Sequence, residues 1–244
     1  RMDADDVSHR DRLAAQRALM EGSPRVALCG CGVEYFPASV VRDGARRYAR
    51  WLNAMTEPEE LVGGLFVECP LAHPSFFMRA DLVASVGGYV DRGWAEDYDL
   101  VMRLWEAGFE LASVPDVLLR WREGTTRLSR THSRYRPSAF RACKVHYLLQ
   151  TLLADGRDVV VWGAGPLGKA MARALHNEGV VVRAFVELDP RKIGQEIHGA
   201  PVVNTASGLD LRGPLHLAAV GQVGARRRIQ GMLRERSEEH TSEL

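Results

Sequence analysis

Val159-Val160-Val161-Trp162-Gly163-Ala164-Gly165-Pro166-Leu167-Gly168 places an apolar run directly before a GxGxxG loop. The pattern predicts a strand, a glycine turn and a helix to about Asn177, followed by a second strand over Val180 to Val186. That is a βαβ unit, and it makes the fold class α/β. In this context the glycines permit a tight turn, close backbone approach and a helix start that faces a pyrophosphate. Glu187 ends the second strand where a ribose-binding acid belongs, and Asp189 is a near alternative. Gly163, Gly165, Gly168 and Glu187 are therefore candidate binding residues for a nucleotide or NAD(P). Glycines used only for packing would give the same string, and Asp189 to Gly194 also reads as a turn.

Outward from this unit, a helix over Phe140 to Leu153 leads back to a segment, Arg122 to Arg136, that is rich in Arg, Ser and Thr and has no periodicity. Val114 to Trp121 is strand-like. Leu100, Val101, Leu104 and Trp105 repeat at helical spacing behind Ala95-Glu96-Asp97, and Gly108 ends that helix. Ser75 to Arg79 reads as a strand, and a short helix after it stops at Gly87-Gly88. Thr56-Glu57-Pro58-Glu59 reads as a capping box opening a helix to about Leu65. Val26 to Val33 is a buried-strand candidate. Ser8 with Asp11 reads as the cap of a helix to about Glu21, and Asp3 to Asp6 as the close of a strand.

Composition narrows the function classes. The 244 residues are 46% hydrophobic and 26% charged, which excludes a disordered chain. With 32 basic against 31 acidic residues there is no electrostatic case for nucleic acid or a polybasic membrane surface. No apolar run approaches the roughly 20 residues of a membrane span, and no signal-peptide pattern opens the chain. Cys29, Cys31, Cys69 and Cys143 are too scattered for a disulfide framework and fit buried free thiols of a reducing cytoplasm.

Two acidic features carry chemistry. Asp3, Asp5 and Asp6 form a DxDD pattern, and two such carboxylates together suit Mg²⁺ or Mn²⁺ held jointly with substrate phosphates. A solvated acidic turn explains the same residues on their own. Glu96, Asp97 and Asp99 stand at a helix start, where the dipole favours negative charge. With them come His73-Pro74-Ser75-Phe76-Phe77-Met78-Arg79 and Val86-Gly87-Gly88-Tyr89. This ordered set, over about residues 2 to 135, resembles the catalytic half of the family-2 inverting glycosyltransferases of the GT-A fold.

The resemblance implies a nucleotide-sugar donor, a glycan or other hydroxyl acceptor and a divalent cation. It puts Asp5 and Asp3 on the metal and donor, Asp6 beside them, and the general base on Asp97 with Glu96 as its supporting acid. Gly87, Gly88 and Tyr89 fall at the acceptor side, although helix termination explains the glycines equally well. His73 fits the pattern before the strand, in a packed or hydrogen-bonded role. Family members often carry an Arg and a His after the last strand, over the diphosphate. Here Glu123 follows Arg122, and the next histidine is His132; that departure leaves the loop's ligand unassigned, with Arg122 and His132 as the candidates for the phosphate contact.

The stretch from Ala184 to Gly194, with Gly199 to Val203, resembles small Rossmann domains attached to sugar-modifying enzymes. The expected plan is an incomplete GT-A domain over 1–136, a linker helix over 137–155 and a Rossmann-like domain over 156–235. Residues 236–244 resemble translated sequencing adapter. Sequence is expected upstream of Arg1, and the chain alone is expected to be inactive. The expected location is cytoplasmic or peripheral at the inner membrane face. A rival reading makes residues 155–235 the active part of a nucleotide-binding or oxidoreductase protein, with residues 1–150 as scaffold. A third is a degenerate protein that only binds others.

Overall fold

The computed structural model describes residues 1–124, 127–222 and 224–239 and divides into two compact units, Arg1–Cys143 and Lys144–Leu244. Residues 125 and 126 of the Arg-rich segment, and 240–244 of the adapter-like tail, lie outside the described residues. The fold class is α/β, with a separate sheet in each unit.

The first unit runs β1 (Val7–Ser8), α1 (Arg12–Glu21), β2 (Val26–Phe36), α2 (Asp43–Asn53), α3 (Pro58–Gly64), a 3₁₀ turn at His73–Ser75 and β3 (Phe77–Met78). It continues through α4 (Ala80–Ser85), α5 (Glu96–Glu106), β4 (Glu110–Arg122), α6 (Leu128–Thr131) and a 3₁₀ turn at Ser133–Tyr135 into α7 (Pro137–Gln150), within which the division falls. The sheet order is β1-β4-β2-β3. β2 and β4 are parallel, from Cys29 beside Ala112 to Phe36 beside Arg122, whereas β1 and β3 pair antiparallel. The first eight residues of β2 are buried, as a strand covered on both faces requires. Gln16 of α1 is fully buried and its amide donates to the Cys29 and Ser75 carbonyls, at 3.3 and 2.8 Å, which ties helix, central strand and 3₁₀ turn together. All four cysteines are free and buried.

Local corrections have physical causes. Ser8 does not cap α1: it lies in β1 opposite Leu119, and the helix starts after Asp11. Asp3 to Asp6 do not close a strand, because residues 4–6 turn and β1 follows them. The α3 capping box is formed by Glu57 and Glu60, one residue beyond the expected start. The strand expected over Ser75 to Arg79 is only Phe77–Met78, since His73-Pro74-Ser75 coils into the 3₁₀ turn and buries Phe76.

The second unit contains β5 (Val159–Trp162), α8 (Pro166–Asn177), β6 (Val182–Val186), β7 (Glu196–Ile197), β8 (Ala200–Val203), α9 (Thr205–Asp210), β9 (Leu215–Ala218) and α10 (Ala225–Glu239). Its sheet order is β7-β8-β6-β5-β9, with only the β7 edge antiparallel. The chain builds outward from β5 to β8 and then crosses back to β9, the arrangement of a Rossmann-like domain with its crevice beside β5.

One buried ion pair fixes the part of the first unit that matters most. Asp99 on α5 is fully buried and accepts from Arg103 Nε at 2.8 Å and Trp94 Nε1 at 2.8 Å. The Arg103 guanidinium also donates to the Val86 carbonyl and, at 2.6 Å, to the Gly88 carbonyl. α5 is thereby clamped to the Gly87-Gly88 turn, whose φ angles of +88° and +64° suit glycine. Removing one member of such a pair strands a charge. Asp99→Ala is expected to cost about 3–5 kcal/mol, read as a lowered urea midpoint; a loss under about 1 kcal/mol would show that the clamp is dispensable.

Candidate active site

Helix α5 begins at Glu96 with Ala95 as its N-cap, which puts Glu96 and Asp97 in the first turn. Asp97 is largely buried and its Oδ1 accepts from the Tyr98 N–H at 2.9 Å. Burial raises its carboxyl to about 6, against the lowering effect of that hydrogen bond. His73 Nδ1 stands 3.7 Å from Asp97 Oδ2, too far for a hydrogen bond, and its Nε2 meets the Tyr89 hydroxyl at 2.8 Å. Burial, with the Arg1 guanidinium next, pulls the His73 imidazole down to about 4. His73 is therefore neutral at pH 7 and cannot hold Asp97 as an ion pair. Burial and the neighbouring Asp97 push the Tyr89 phenol up to about 12, which keeps it protonated.

Glu96 has the opposite fate. Burial alone would raise it, but hydrogen bonds from its own backbone N–H and from Arg134 bring it below the ordinary range. Arg134 Nη1 reaches Glu96 at 3.1 Å while Nη2 takes Asp91 at 3.1 Å, and the Tyr135 hydroxyl lies 3.3 Å from both Glu96 oxygens. Arg134 and Tyr135 were missed by sequence reasoning, because the Arg-rich segment has no periodicity to place them. The density of arginine there was the available signal.

The acidic cluster divides. Asp3 and Asp5 keep exposed side chains, Asp3 paired with Arg1 at 2.8 Å and Asp5 lying 3.7 Å from Arg122. Asp6 turns inward: its Oδ1 accepts the Arg122 backbone N–H at 2.7 Å, and its Oδ2 is buried without a hydrogen bond. Burial raises the Asp6 carboxyl. Arg122 Nε donates to the Asp5 carbonyl at 2.8 Å, and its guanidinium lies 4.5 Å over the Phe36 ring. Arg122 thus joins the cluster. His132 stands at the head of the 3₁₀ turn, where its ring accepts the Arg134 N–H at 3.3 Å. The charges of Arg1 and Asp3 both act on His73. Among the described residues no group of three or more His, Cys, Asp or Glu is placed to hold a metal ion. Asp3 and Asp5 are hard oxygen donors open to solvent, each facing an arginine, Arg1 for the first and Arg122 for the second.

The family model for glycosyl transferase family group 2 matches residues 1–136. The chain belongs to this family. Residues 1–136 are its GT-A catalytic half, carrying the ordered motifs described above. The amylovoran biosynthesis glycosyltransferase AmsE of Erwinia amylovora is 31% identical over 125 residues, 51% of this chain and 44% of that protein. An uncharacterized glycosyltransferase of Haemophilus influenzae is 32% identical over 130 residues, 53% and 46% of the two chains. The putative glycosyltransferase EpsE of Bacillus subtilis is 31% identical over 212 residues, 86% of this chain and 66% of EpsE. The chain spans just under half the length of the first two relatives.

In the second unit, Gly163 is held at φ +109°, Gly165 is the N-cap of α8, and Gly168 packs on the Gly163 carbonyl. Glu187 Oε2 accepts the Ala164 N–H at 3.1 Å and Lys192 Nζ at 3.0 Å. Asp189 is paired with Arg191 at 2.9 Å and is pulled down to about 2 by that hydrogen bond. No helix among the described residues is long and apolar enough to cross a membrane.

The raised Asp97 carboxyl has a stability consequence. The folded protein prefers the protonated form, so this group's contribution is complete below about pH 4 and is lost as pH rises through about 6. Asp97→Asn keeps an acceptor for the Tyr98 N–H and has no proton to lose. The variant is expected to match the parent at pH 4 and to be more stable by about 1–3 kcal/mol at pH 7.5, read by thermal melting at both values. Equal midpoints at pH 7.5 would show that Asp97 ionises freely.

Proposed function

We propose that the transferase half moves a sugar from a nucleotide-sugar donor to an acceptor hydroxyl with inversion, and that Asp97 is the base. The supporting observation is the buried Asp97 carboxyl near 6, adjacent to a Glu96 that is held ionised. A base poised just below neutral pH is charged enough to accept a proton and basic enough to take one. In the single displacement the acceptor O–H bond breaks and its proton passes to an Asp97 oxygen. The acceptor oxygen bonds to the anomeric carbon from the face opposite the leaving group. The bond from that carbon to the diphosphate oxygen breaks, and the nucleoside diphosphate leaves.

Each neighbour has a distinct task. Neutral His73, bonded to Tyr89, walls Asp97 off from water without neutralising it. Glu96, pinned by Arg134 and Tyr135, stays ionised beside Asp97 and is its supporting acid. Arg122 beside Asp5 supplies positive charge for the diphosphate. Asp3 and Asp5 would hold a divalent cation, Mg²⁺ or Mn²⁺, whose chemistry is to neutralise charge developing on the leaving diphosphate. The buried free thiols support a reducing, cytoplasmic setting. The name of AmsE supports a place in polysaccharide biosynthesis.

The test uses the protein expressed from its complete reading frame, assayed for release of nucleoside diphosphate with acceptor present. Asp97→Asn is expected to lower kcat by about 10²–10⁴-fold with little change in donor binding. Asp5→Ala should abolish metal-dependent donor binding. The parent rate should rise with pH through about 6 and then level, since the base works only when ionised. An Asp97→Asn enzyme that retains the parent rate would exclude this residue as the base.

A further inference from the structure

The second unit contains a pocket of about 600 Å³ at the carboxyl ends of β5, β6 and β9, beside the crossover. Gly165, Leu167, Glu187, Leu188, Arg228 and Met232 are among the residues that line it. Two features of these residues are not demanded by folding, and a third bears on what the pocket can take.

The first is Gly165. Gly163 must be glycine, because its φ is +109° and a Cβ would meet the Ala219 carbonyl at 3.0 Å. Gly168 must be glycine, because a Cβ would stand 1.8 Å from the Gly163 carbonyl. Gly165 has neither constraint. Its φ of −87° and ψ of −174° suit any residue, and a Cβ there would meet nothing within 4 Å. The open space over its backbone is pocket, at the start of a twelve-residue helix whose N–H groups favour a phosphate. Arg228 lines the same pocket from α10 and adds positive charge.

The second feature is the lip. Leu188 is 70% exposed and Leu167 58% exposed, the two most exposed large apolar side chains among the described residues. Both border this one pocket. Scattered exposed leucines are ordinary, but two at one mouth offer faces for a flat, apolar ring.

The third is the state of Glu187. Its Oε2 takes the Ala164 N–H and Lys192, and its Oε1 takes the Leu188 and Asp189 N–H groups at 2.9 and 3.4 Å. All four acceptor directions of the carboxylate are used. A ribose diol would find no free acceptor, and the negative charge is matched by Lys192.

We propose that this pocket binds a nucleoside diphosphate, the diphosphate lying over Gly165 and the base against Leu167 and Leu188, with Glu187 holding the glycine loop instead of the ribose. The chemistry is shared by free nucleotides and by dinucleotides, and the titration separates them. The full chain is used with Asp3→Ala and Asp5→Ala installed, so that the transferase site does not contribute. ADP, UDP, NAD⁺ and inorganic pyrophosphate are titrated by calorimetry into this background and into the same background carrying Gly165→Ala or Leu188→Ser. ADP or UDP is expected to bind, and each added substitution to weaken it by about tenfold or more with the thermal midpoint unchanged. Gly168→Ala, in contrast, should lower the midpoint. The proposal falls if neither nucleotide binds at about 1 mM, or if Gly165→Ala and Leu188→Ser both bind like the background. NAD⁺ binding about tenfold tighter than ADP would also overturn it, because Glu187 would then be reading a ribose. None of these outcomes depends on sugar transfer by the first unit.

Discussion

Arg103 makes a buried ion pair with Asp99 one helical turn away, and the same guanidinium holds the carbonyls of Val86 and Gly88. A buried arginine with three oxygen-directed bonds is costly to desolvate, and its worth lies in the geometry it enforces. Here that geometry runs from α5 to the Gly87-Gly88 turn and on to Tyr89 and His73. The pair fixes the rotation of α5, and so the direction of Glu96 and Asp97. The carbonyl contacts fix the turn that ends in Tyr89, and Tyr89 fixes His73, which borders Asp97. Asp97 is thus enclosed by a circuit that begins and ends on one helix. A lysine at 103 could not reproduce it, because a point charge lacks the planar fork.

Within that frame, two adjacent carboxyls are driven apart in acidity by their partners. Glu96 receives Arg134 and is pulled down, while Asp97 lacks a close cation and is pushed up by burial. Like charges side by side reinforce the split, because ionised Glu96 raises the cost of ionising Asp97. Glu96 is held ionised, and Asp97 keeps its proton to a higher pH. The division depends on Arg134, which the chain supplies from beyond the last strand of the sheet. The acidity of Asp97 is therefore set partly by a segment outside the helix that carries it.

Much of this was legible in the sequence, and the reasons for the rest are specific. The α5 helix, its Gly108 stop and the βαβ unit after Asp158 carry their own start, stop and period signals. The DxDD, GGY and ED strings are local motifs, and the family match places them over residues 1–136. Helix α2 was not legible: its N-cap is Arg42, with no side-chain cap, and a glycine stands in its first turn. The inward turn of Asp6 was not legible either, because it depends on the Arg122 N–H from a strand 116 residues away. Asp6 and Asp5 are neighbours of one residue type, and only the strand beside them separates a structural carboxylate from a solvent-facing one.

Acidic residues at strand ends and helix starts are usually assigned by position, and this chain shows why the partner decides instead. Glu96 and Glu187 both occupy positions where a motif would make them ligand acceptors. Each already holds a side-chain cation and a backbone N–H, Arg134 for the first and Lys192 for the second. A carboxylate so engaged shapes the backbone around a site, and a new hydrogen bond to it must displace an old one. Asp97 is held by backbone N–H groups, its own and that of Tyr98, and its side-chain neighbour is a neutral histidine. Those bonds do not offset its burial, and its carboxyl stays above the ordinary carboxylate range. The two acids that open α5 thus differ in acidity through their partners, a guanidinium for Glu96 and a neutral imidazole for Asp97.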